Sequence, residues 1–538
     1  MSESLNTDIL VVGGGLGGVA ATLAALEAGR RVVLVEQYNW LGGQLTSQAV
    51  PLDEHPWIEE MGATRRYRRL RDGIRDYYRA HFPLTEAARE HPYLSPGAGT
   101  VSKLCSEPRV GVQVIDSMLA PWLSAGHLQL IQPAVAISAD VDGDRVRAIQ
   151  VRQLIDDDEI TISARYVLDA TETGELLPLT GTEYATGFES RHETGEPSAP
   201  EEAQPDNWQA LSVCFAVDYV DGDHTVDRPE QYDKWRAVEP DFWWGPLLGL
   251  VSPHPRTLEP APRTFVPNTD EDPLVIEADQ SKDPGDLNLW IYRRIAARKL
   301  FTPGFYDSDI TLVNWPSIDY FEAPVSDVPA DVAASRLHDA RQLSLSMLYW
   351  LQTEAPRPDG GKGLRGLRLR PDVTGTSDGL AQAPYIRESR RIKALTTVTE
   401  NDVSMTVRGD AGARQFHDSV GIGMYRIDLH PSTGGDNYID VPSCPFQIPL
   451  GALIPQRMRN LLPANKNIGT THITNGCYRL HPVEWNIGEA AGALAATCIE
   501  DGVEPAQLRE DRSRLEQFQS SLVAQGIELS WPEGVVGY

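Results

Sequence analysis

Residues 7–50 read TDILVVGGGLGGVAATLAALEAGRRVVLVEQYNWLGGQLTSQAV, with five glycines from position 13 to position 18. The run DILVVG is continuously apolar, as a parallel strand buried on both faces requires. LGGVAATLAALEAG follows as a small-residue helix closing at Gly29, and RRVVLVE is a second buried strand. Strand, glycine turn, helix and strand place the pattern G-x-G-x-x-G on Gly13, Gly15 and Gly18. There the first glycine makes the tight turn, the second lets the backbone approach a pyrophosphate, and the third lets the helix lie close to the strand. The helix start, from Leu16 through Gly17 to Gly18, faces a phosphate with free N–H groups. Glu36 closes the second strand about 20 residues on, with Gln37 beside it, where an acid accepts hydrogen bonds from an adenosine ribose. The stretch reads as a dinucleotide-binding unit, with NAD and FAD both open.

A chain of 538 residues has length for roughly two to four domains, and a cofactor-binding chain can interleave their segments. Its 76 acidic against 48 basic side chains give a net charge of −28. That charge repels nucleic acid and anionic membrane surfaces alike. Cys105, Cys214, Cys444, Cys477 and Cys498 are scattered and never in C-x-x-C spacing, so neither a disulfide framework nor a metal site is expected. They read as small buried hydrophobes. No run approaches the ~20 apolar residues of a membrane span, and the start MSESLNTD has no basic leader region. The expectation is a cytoplasmic protein.

Along the chain, TRRYRRLRDGIRDYYRAHF carries Tyr67, Leu70, Ile74 and Tyr77 at helical spacing, a buried stripe with the arginines on solvated or ion-paired faces. From Leu128, short β-rich runs broken by DGD and DDDE read as a β-meander returning to the sheet through YVLDAT. Thr171, Thr173 and Gly174 then form a second small-residue turn. Residues 208–443 mix strands, aromatic loops and a helix near 329–355, and carry no second nucleotide fingerprint. A strand-like NLLPA, a polar loop and a helix rich in Gly and Ala after Pro482 close the informative part. Small side chains let that helix pack tightly on a neighbour, and its positive end suits the negative charge of a reduced flavin.

Together these features resemble the FAD-dependent oxidoreductases of the glutathione-reductase-like superfamily with two dinucleotide-binding domains. The likeness is to a bacterial group with an LGGQ loop (41–44), a returning DAT-x-x-G strand (169–174), an IRESRRI motif (386–392) and a GEAAG helix (488–492). The resemblance implies an α/β fold: a Rossmann-type FAD-binding domain with a β-meander, interleaved with an α+β substrate or cap domain. It assigns residues 1–50, 127–186 and 444–503 to FAD, 51–126 to a helical insertion, 187–443 to the cap, and 504–538 to a C-terminal helix and tail. The ADP half falls to Gly13, Gly15, Leu16, Gly17, Gly18, Glu36 and Gln37. The flavin ring falls between the loop of Gly42, Gly43, Gln44 and Thr46 and the terminal helix, with Ala170, Thr171, Gly174, Asn475, Asn486 and Ile487 completing the site. No acid stands before the last helix for the ribityl chain, with 465–467 as a partial substitute, and no separate NAD(P)H domain is present. Hydroxylase and disulfide-reductase readings lose support accordingly.

His481, at the mouth of the terminal helix, is the candidate proton shuttle because imidazole titrates near neutrality. Its alternative is a helix-entry residue bonded to backbone. Arg387, Glu388, Arg390 and Arg391 are candidates to clamp a substrate carboxylate or the flavin, with an internal Arg/Glu ion-pair network as the alternative. Arg479, a catalytic candidate, shares its loop with His472 and Asn475, and the alternative for each is to hold the pyrophosphate or the loop itself. Trp243, Trp244, Trp315 and Tyr320 are either pocket aromatics or core. The expected function is a dehydrogenase or oxidase taking a hydride from a small organic substrate, with O2 or a redox partner as electron acceptor and homo-oligomerisation left open. Two alternatives stand: an ene-reductase or desaturase working at a C–C bond, and a non-catalytic flavin-binding redox sensor.

Overall fold

The computed structural model describes residues 3–276 and 288–538. Residues 1–2 of the expected FAD unit and 277–287 of the expected cap lie outside the described residues. Strand β1 (Glu3–Val12), helix α1 (Leu16–Glu27) and strand β2 (Val32–Val35) form from the opening stretch. Ile9 to Val12 and all of β2 are buried, which is why both strands are apolar at every position. Gly13 turns between β1 and α1 with φ +100°, and a Cβ there would lie 2.2 Å from the carbonyl oxygen of Ala170. No residue with a side chain fits that turn.

Helix α2 (Arg65–His81) starts on Thr64, whose hydroxyl accepts from the Tyr67 N–H. It buries Tyr67, Leu70, Ile74 and Tyr78; Tyr77, the expected fourth member of the stripe, is only half buried. Arg66, Arg71 and Arg75 are buried as well, paired with Glu27 and Glu489, with Glu54 and Glu59, and with Glu59. Buried guanidinium groups survive only with such partners, so this face of the helix is an internal ion-paired seam. After α3 (Pro108–Ser124) come β3 (Leu128–Ile131), β4 (Ala134–Asp142), β5 (Arg145–Gln153) and β6 (Glu159–Asp169).

The central sheet has the order β3-β2-β1-β6-β5-β4. Its first four strands are parallel, Ile9 standing beside Val32 on one side and Tyr166 on the other. LQLI, read as the first run of the meander, is instead the parallel edge strand β3, and the meander proper is β4 to β6.

The chain then builds a second unit. β7 (Phe215–Tyr219), β8 (Arg294–Ala296), β9 (Ile310–Val313) and β10 (Leu367–Leu369) make an antiparallel sheet in the order β8-β9-β7-β10. The 24-residue α4 (Ala330–Thr353) closes over a separate core holding Trp235, Phe265, Trp290, Leu343, Met347 and Leu351.

The return to the first unit is through β11 (Leu461–Pro463), α5 (His472–Tyr478) and α6 (His481–Asp501). β6 uses its second edge twice: the first half pairs antiparallel with β5, and Val167, Leu168 and Asp169 pair in parallel with β11. Part of the expected polar loop before the last helix is α5, started by Thr471 and Thr474 in a reciprocal capping box. The small residues of α6 meet α1 backbone to backbone. A Cβ on Gly488 would stand 2.0 Å from the Gly17 carbonyl oxygen, and one on Gly492 2.2 Å from that of Ala21.

Candidate functional site

A groove of about 580 Å³ opens past the C-terminal ends of β1, β2 and β6, where parallel α/β sheets place their ligands. Gly13, Gly15, Glu36, Gln37, Gly43, Ala170 and Thr171 of the expected cofactor set line it. Glu36 accepts from the backbone N–H groups of Gly14 and Tyr38 at 2.5 and 2.8 Å. Burial still pushes its carboxyl up to about 7. Gly17 and Gly18 are hemmed in by backbone, with Cβ positions 2.0 and 1.9 Å from the carbonyl oxygens of Ala464 and Gly13. Gly15 differs: its missing side chain would meet only side-chain atoms, Glu172 Oε1 at 3.0 Å, Glu484 Oε1 at 3.3 Å and Asn465 Nδ2 at 3.6 Å. Gly13 and Gly15 are the fingerprint glycines that line the groove, where a pyrophosphate needs bare backbone.

The remaining expected cofactor residues serve the groove from behind or not at all. Gly42, at φ +108°, turns the LGGQ loop, and Thr46 donates to the Leu41 carbonyl at 2.6 Å. Gln44 donates to the Arg479 carbonyl at 2.8 Å and to Glu484. Glu484 in turn accepts from the Gly17 N–H at 2.9 Å, while Lys466 pairs with Glu172. Leu16 is core, and Gly174 faces Arg390. Three more have their side chains engaged with protein. Asn475 donates to the Arg387 carbonyl at 2.7 Å. Asn486 bonds Ile422 N–H and the Val420 carbonyl at 3.3 Å each, and Ile487 is buried in the main core. Of 465–467, Asn465 and Asn467 hold the end of β6 by donating to Ala170 and Asp169 carbonyls.

The sequence reading missed Gln48, although it stands in the opening stretch. It lines the groove, is fully buried, and neither its Nε2 nor its Oε1 has a hydrogen-bond partner. Buried amides are rarely left so. A paired donor and acceptor of this kind fits the alternating N–H and C=O edge of a flavin, and the Gly15 cradle fits its diphosphate.

Beyond the groove lies a second cavity of about 360 Å³. Residues 383–390 run between the two as an extended wall. Ala383, Pro384, Ile386 and Arg390 face the groove; Tyr385 and Arg387 face the cavity. Three arginines converge on the cavity, each with a carboxylate: Arg387 with Asp319 at 3.1 Å, Arg479 with Asp428 at 3.2 Å, Arg293 with Asp53 at 3.5 Å. All three leave Nε buried without a partner. Burial pushes the Asp53 carboxyl up against the pull of Arg293 and Arg479, which tilts the cavity toward positive charge. The hairpin of Ile427–Leu429 and Ile439–Val441 sets Asp428 directly opposite Asp440, an unfavourable cross-strand pairing that Arg479, Arg426 and Arg256 relieve. Arg293, Asp53, Asp428 and His430 belong to no motif, and nothing in their local sequence marks them.

His481, the expected proton shuttle, is withdrawn from titration near neutrality. It is fully buried, and the Asp53 N–H donates to its Nδ1 at 3.0 Å. Burial, then the charges of Arg293 and Arg479, hold its pKa down to about 3. The ring is a neutral Nε2–H donor whose lone pair is taken. Arg391 is likewise withdrawn into an internal network with Glu388 and Glu189, which His472 joins through Glu388. Of the aromatics, Trp315 lines the cavity, Trp243 and Tyr320 pack in the cap core, and Trp244 is half exposed. All five cysteines are buried free thiols; burial pushes Cys105 up to about 12, away from the thiolate a nucleophile needs.

The chain matches the family model described as FAD dependent oxidoreductase over residues 8–522. No curated protein matches it. Among solved structures it is similar to a geranylgeranyl bacteriochlorophyll reductase-like protein from Thermoplasma acidophilum, at 11% identity over 97% of this chain and 85% of that one, with a TM-score of 0.31. L-proline dehydrogenase from P. horikoshii is similar at 15% identity over 36% of this chain and 26% of that one, TM-score 0.19. The myxobacterial FAD-dependent chondrochloren halogenase is similar at 15% over 40% and 46%, TM-score 0.23. The chain thus spans about a quarter of the dehydrogenase's length and just under half of the halogenase's. Matched by the family model across nearly its whole length, the chain belongs to the FAD dependent oxidoreductase family: it is an oxidoreductase, and FAD is its cofactor.

Proposed function

We propose that the protein is a dehydrogenase or oxidase that removes a hydride from a small organic molecule bearing an acidic group. The observation that carries this reading is the shared lining: Pro384 and Ile386 line the cofactor groove while their neighbours Tyr385 and Arg387 line the arginine-bearing cavity. When bound, FAD supplies the two-electron acceptor; the protein's part is to hold the substrate and place its charge. The unpartnered Nε atoms of Arg293, Arg387 and Arg479 are donors whose burial costs about 1–3 kcal/mol each until an acceptor arrives. A carboxylate satisfies them, since guanidinium binds it in a planar, bidentate way. Tyr385, receiving a 2.6 Å hydrogen bond from Arg479, and Trp315 supply the apolar walls.

The test is anaerobic flavin bleaching over a panel of amines, alcohols, sugars and their acids. Bleaching by hydroxy or amino acids, with product two hydrogens lighter, supports the reading. Bleaching by neutral sugars alone removes the acidic group from it, and a protein that no member of the panel reduces is better read as a sensor.

A further inference from the structure

We infer that His430, held by Asp319, is the residue that takes the substrate's heteroatom proton in that reaction. The inference rests on the hydride-removal reading and names a different base from His481. His430 lines the cavity. Its Nδ1 lies 2.6 Å from Asp319 Oδ2, and Asp319 is fully buried. Asp319 is fixed in turn: its Oδ1 accepts from Ser212 Oγ at 2.6 Å and pairs with Arg387 at 3.1 Å. Despite burial, the Arg387 charge and the hydrogen bonds of His430 and Ser212 hold its carboxyl below the usual range, so it stays a carboxylate.

A carboxylate only accepts hydrogen bonds. The Nδ1 position therefore carries a proton toward Asp319. Nε2 stands 3.7 Å from Asp428 Oδ2, a second carboxylate that His430 helps to hold low. The ring is edge-on to Tyr438, centroids 5.5 Å apart. Groups of charge around it are Asp319, Asp428 and Asp440, with Arg387 and Arg479 behind the first two. An imidazole that lines a cavity and is oriented at Nδ1 by a buried carboxylate is placed to act as a general base once Nε2 is unprotonated. His481 has the opposite tautomer, its lone pair already used.

The step balances as follows. FAD, when bound, would supply the two-electron acceptor for the carbon-bound hydrogen and its electron pair. The proton on the adjoining oxygen or nitrogen goes to Nε2, and the C–O or C–N single bond becomes double. His430 leaves the step as imidazolium, its charge set against Asp319.

The experiment has two arms on the holoenzyme. In the first, 15N-histidine NMR of the resting protein reads the tautomer, with His430→Gln assigning the signal. The expected state is Nδ1–H, and Asp319→Asn flips it to Nε2–H because an amide can donate to Nδ1. A resting Nε2–H tautomer in the wild type overturns the inference, and this arm requires no substrate. In the second, stopped-flow reduction by the compound found in the panel follows both variants. His430→Gln should slow reduction ~10² to 10⁴-fold with substrate Kd and FAD content within a few-fold of wild type. Asp319→Asn should lower the rate and leave Kd within a few-fold. Reduction by His430→Gln within a few-fold of wild type overturns the inference while leaving hydride removal standing. Failure of every compound overturns hydride removal, and the NMR arm then decides the dyad alone.

Discussion

The cofactor groove and the cavity behind it share a wall but are made in opposite ways. The groove is made of backbone: Gly13 left-handed, Gly15 bare, Gly43 in the loop, Glu36 steadied by two N–H groups. Its glycine floor comes from one contiguous stretch and the returning end of β6, and β4, the start of α4 and residues 383–390 complete the lining. The cavity is made of long side chains brought from Asp53, Arg293, Asn314, Arg387, Asp428 and Arg479. In the first, specificity lies where a side chain is missing; in the second, where charges are paired but not saturated. Damage should differ accordingly: added atoms break the groove, and lost geometry weakens the cavity.

The largest effect expected is from Gly488→Ala. Its Cβ would meet the Gly17 carbonyl at 2.0 Å, and neither helix can yield without moving the glycine turn. A loss on the order of 3 kcal/mol, with FAD released, is the outcome to look for in thermal melts and cofactor content. Gly29 is the control, left-handed at φ +78° but in open space, and Gly29→Ala should cost only about 1–2 kcal/mol. Equal losses would show that α1 and α6 are not held by close backbone approach.

Next comes Glu36. Glu36→Ala should weaken FAD retention by about 1.5–3 kcal/mol, read by dialysis or by titration of apoprotein. Its pKa, about 7 folded against an ordinary 4.5, also sets a sign. The folded state keeps a proton that the unfolded chain loses between those values. Stability due to the neutral acid is whole below about 4.5 and is lost as pH rises through about 7. Apo Glu36→Gln, which cannot ionise, should therefore gain on apo wild type across that window, by at most about 3 kcal/mol at ~1.4 per unit. A gain running the other way would mean the buried acid is already ionised.

Arg479→Lys probes the cavity alone. Lysine keeps the charge but cannot serve both Tyr385 and Asp428, which Arg479 bonds at 2.6 and 3.2 Å. KM for an acidic substrate should rise about tenfold, some 1.4 kcal/mol, with FAD content unchanged because the Gln44 bond goes to the Arg479 backbone. Loss of flavin in step with activity would make the residue part of the groove instead. The smallest effect is expected at His481: with its pKa near 3, its removal should leave the pH profile of reduction above about pH 5 unmoved. A lost ionisation near neutrality would restore it as a base.

The same contrast decides what was legible. G-x-G-x-x-G, the buried strands around it and Glu36 are local patterns with local causes, so the sheet and its groove could be read before any coordinates. The small-residue helix was legible as a packing device, and α1 is the neighbour it packs on. Asn475 and Asn486 misled because polarity near a motif does not say which way a side chain turns. His481 misled because its neighbours in sequence say nothing of the Asp53 N–H that takes its lone pair. Arg293, Asp428 and His430 were illegible since their meaning arises only when separate segments of the cap and the hairpin of Ile427–Leu429 and Ile439–Val441 face one another. IRESRRI was visible as a motif, but its division between wall, cavity and internal network depends on the alternation of an extended segment.

The double use of the β6 edge has a consequence for biogenesis. While the ribosome is still making the cap, β6 has β1 on one side and β5 along half of the other, and Val167 to Asp169 wait for a strand encoded almost three hundred residues later. An unpaired apolar strand end is a site for intermolecular pairing. The nascent chain carries that vulnerability throughout synthesis of the second unit, so slowed elongation across residues 187–443 should raise misfolded yield more than the same delay placed after Pro463.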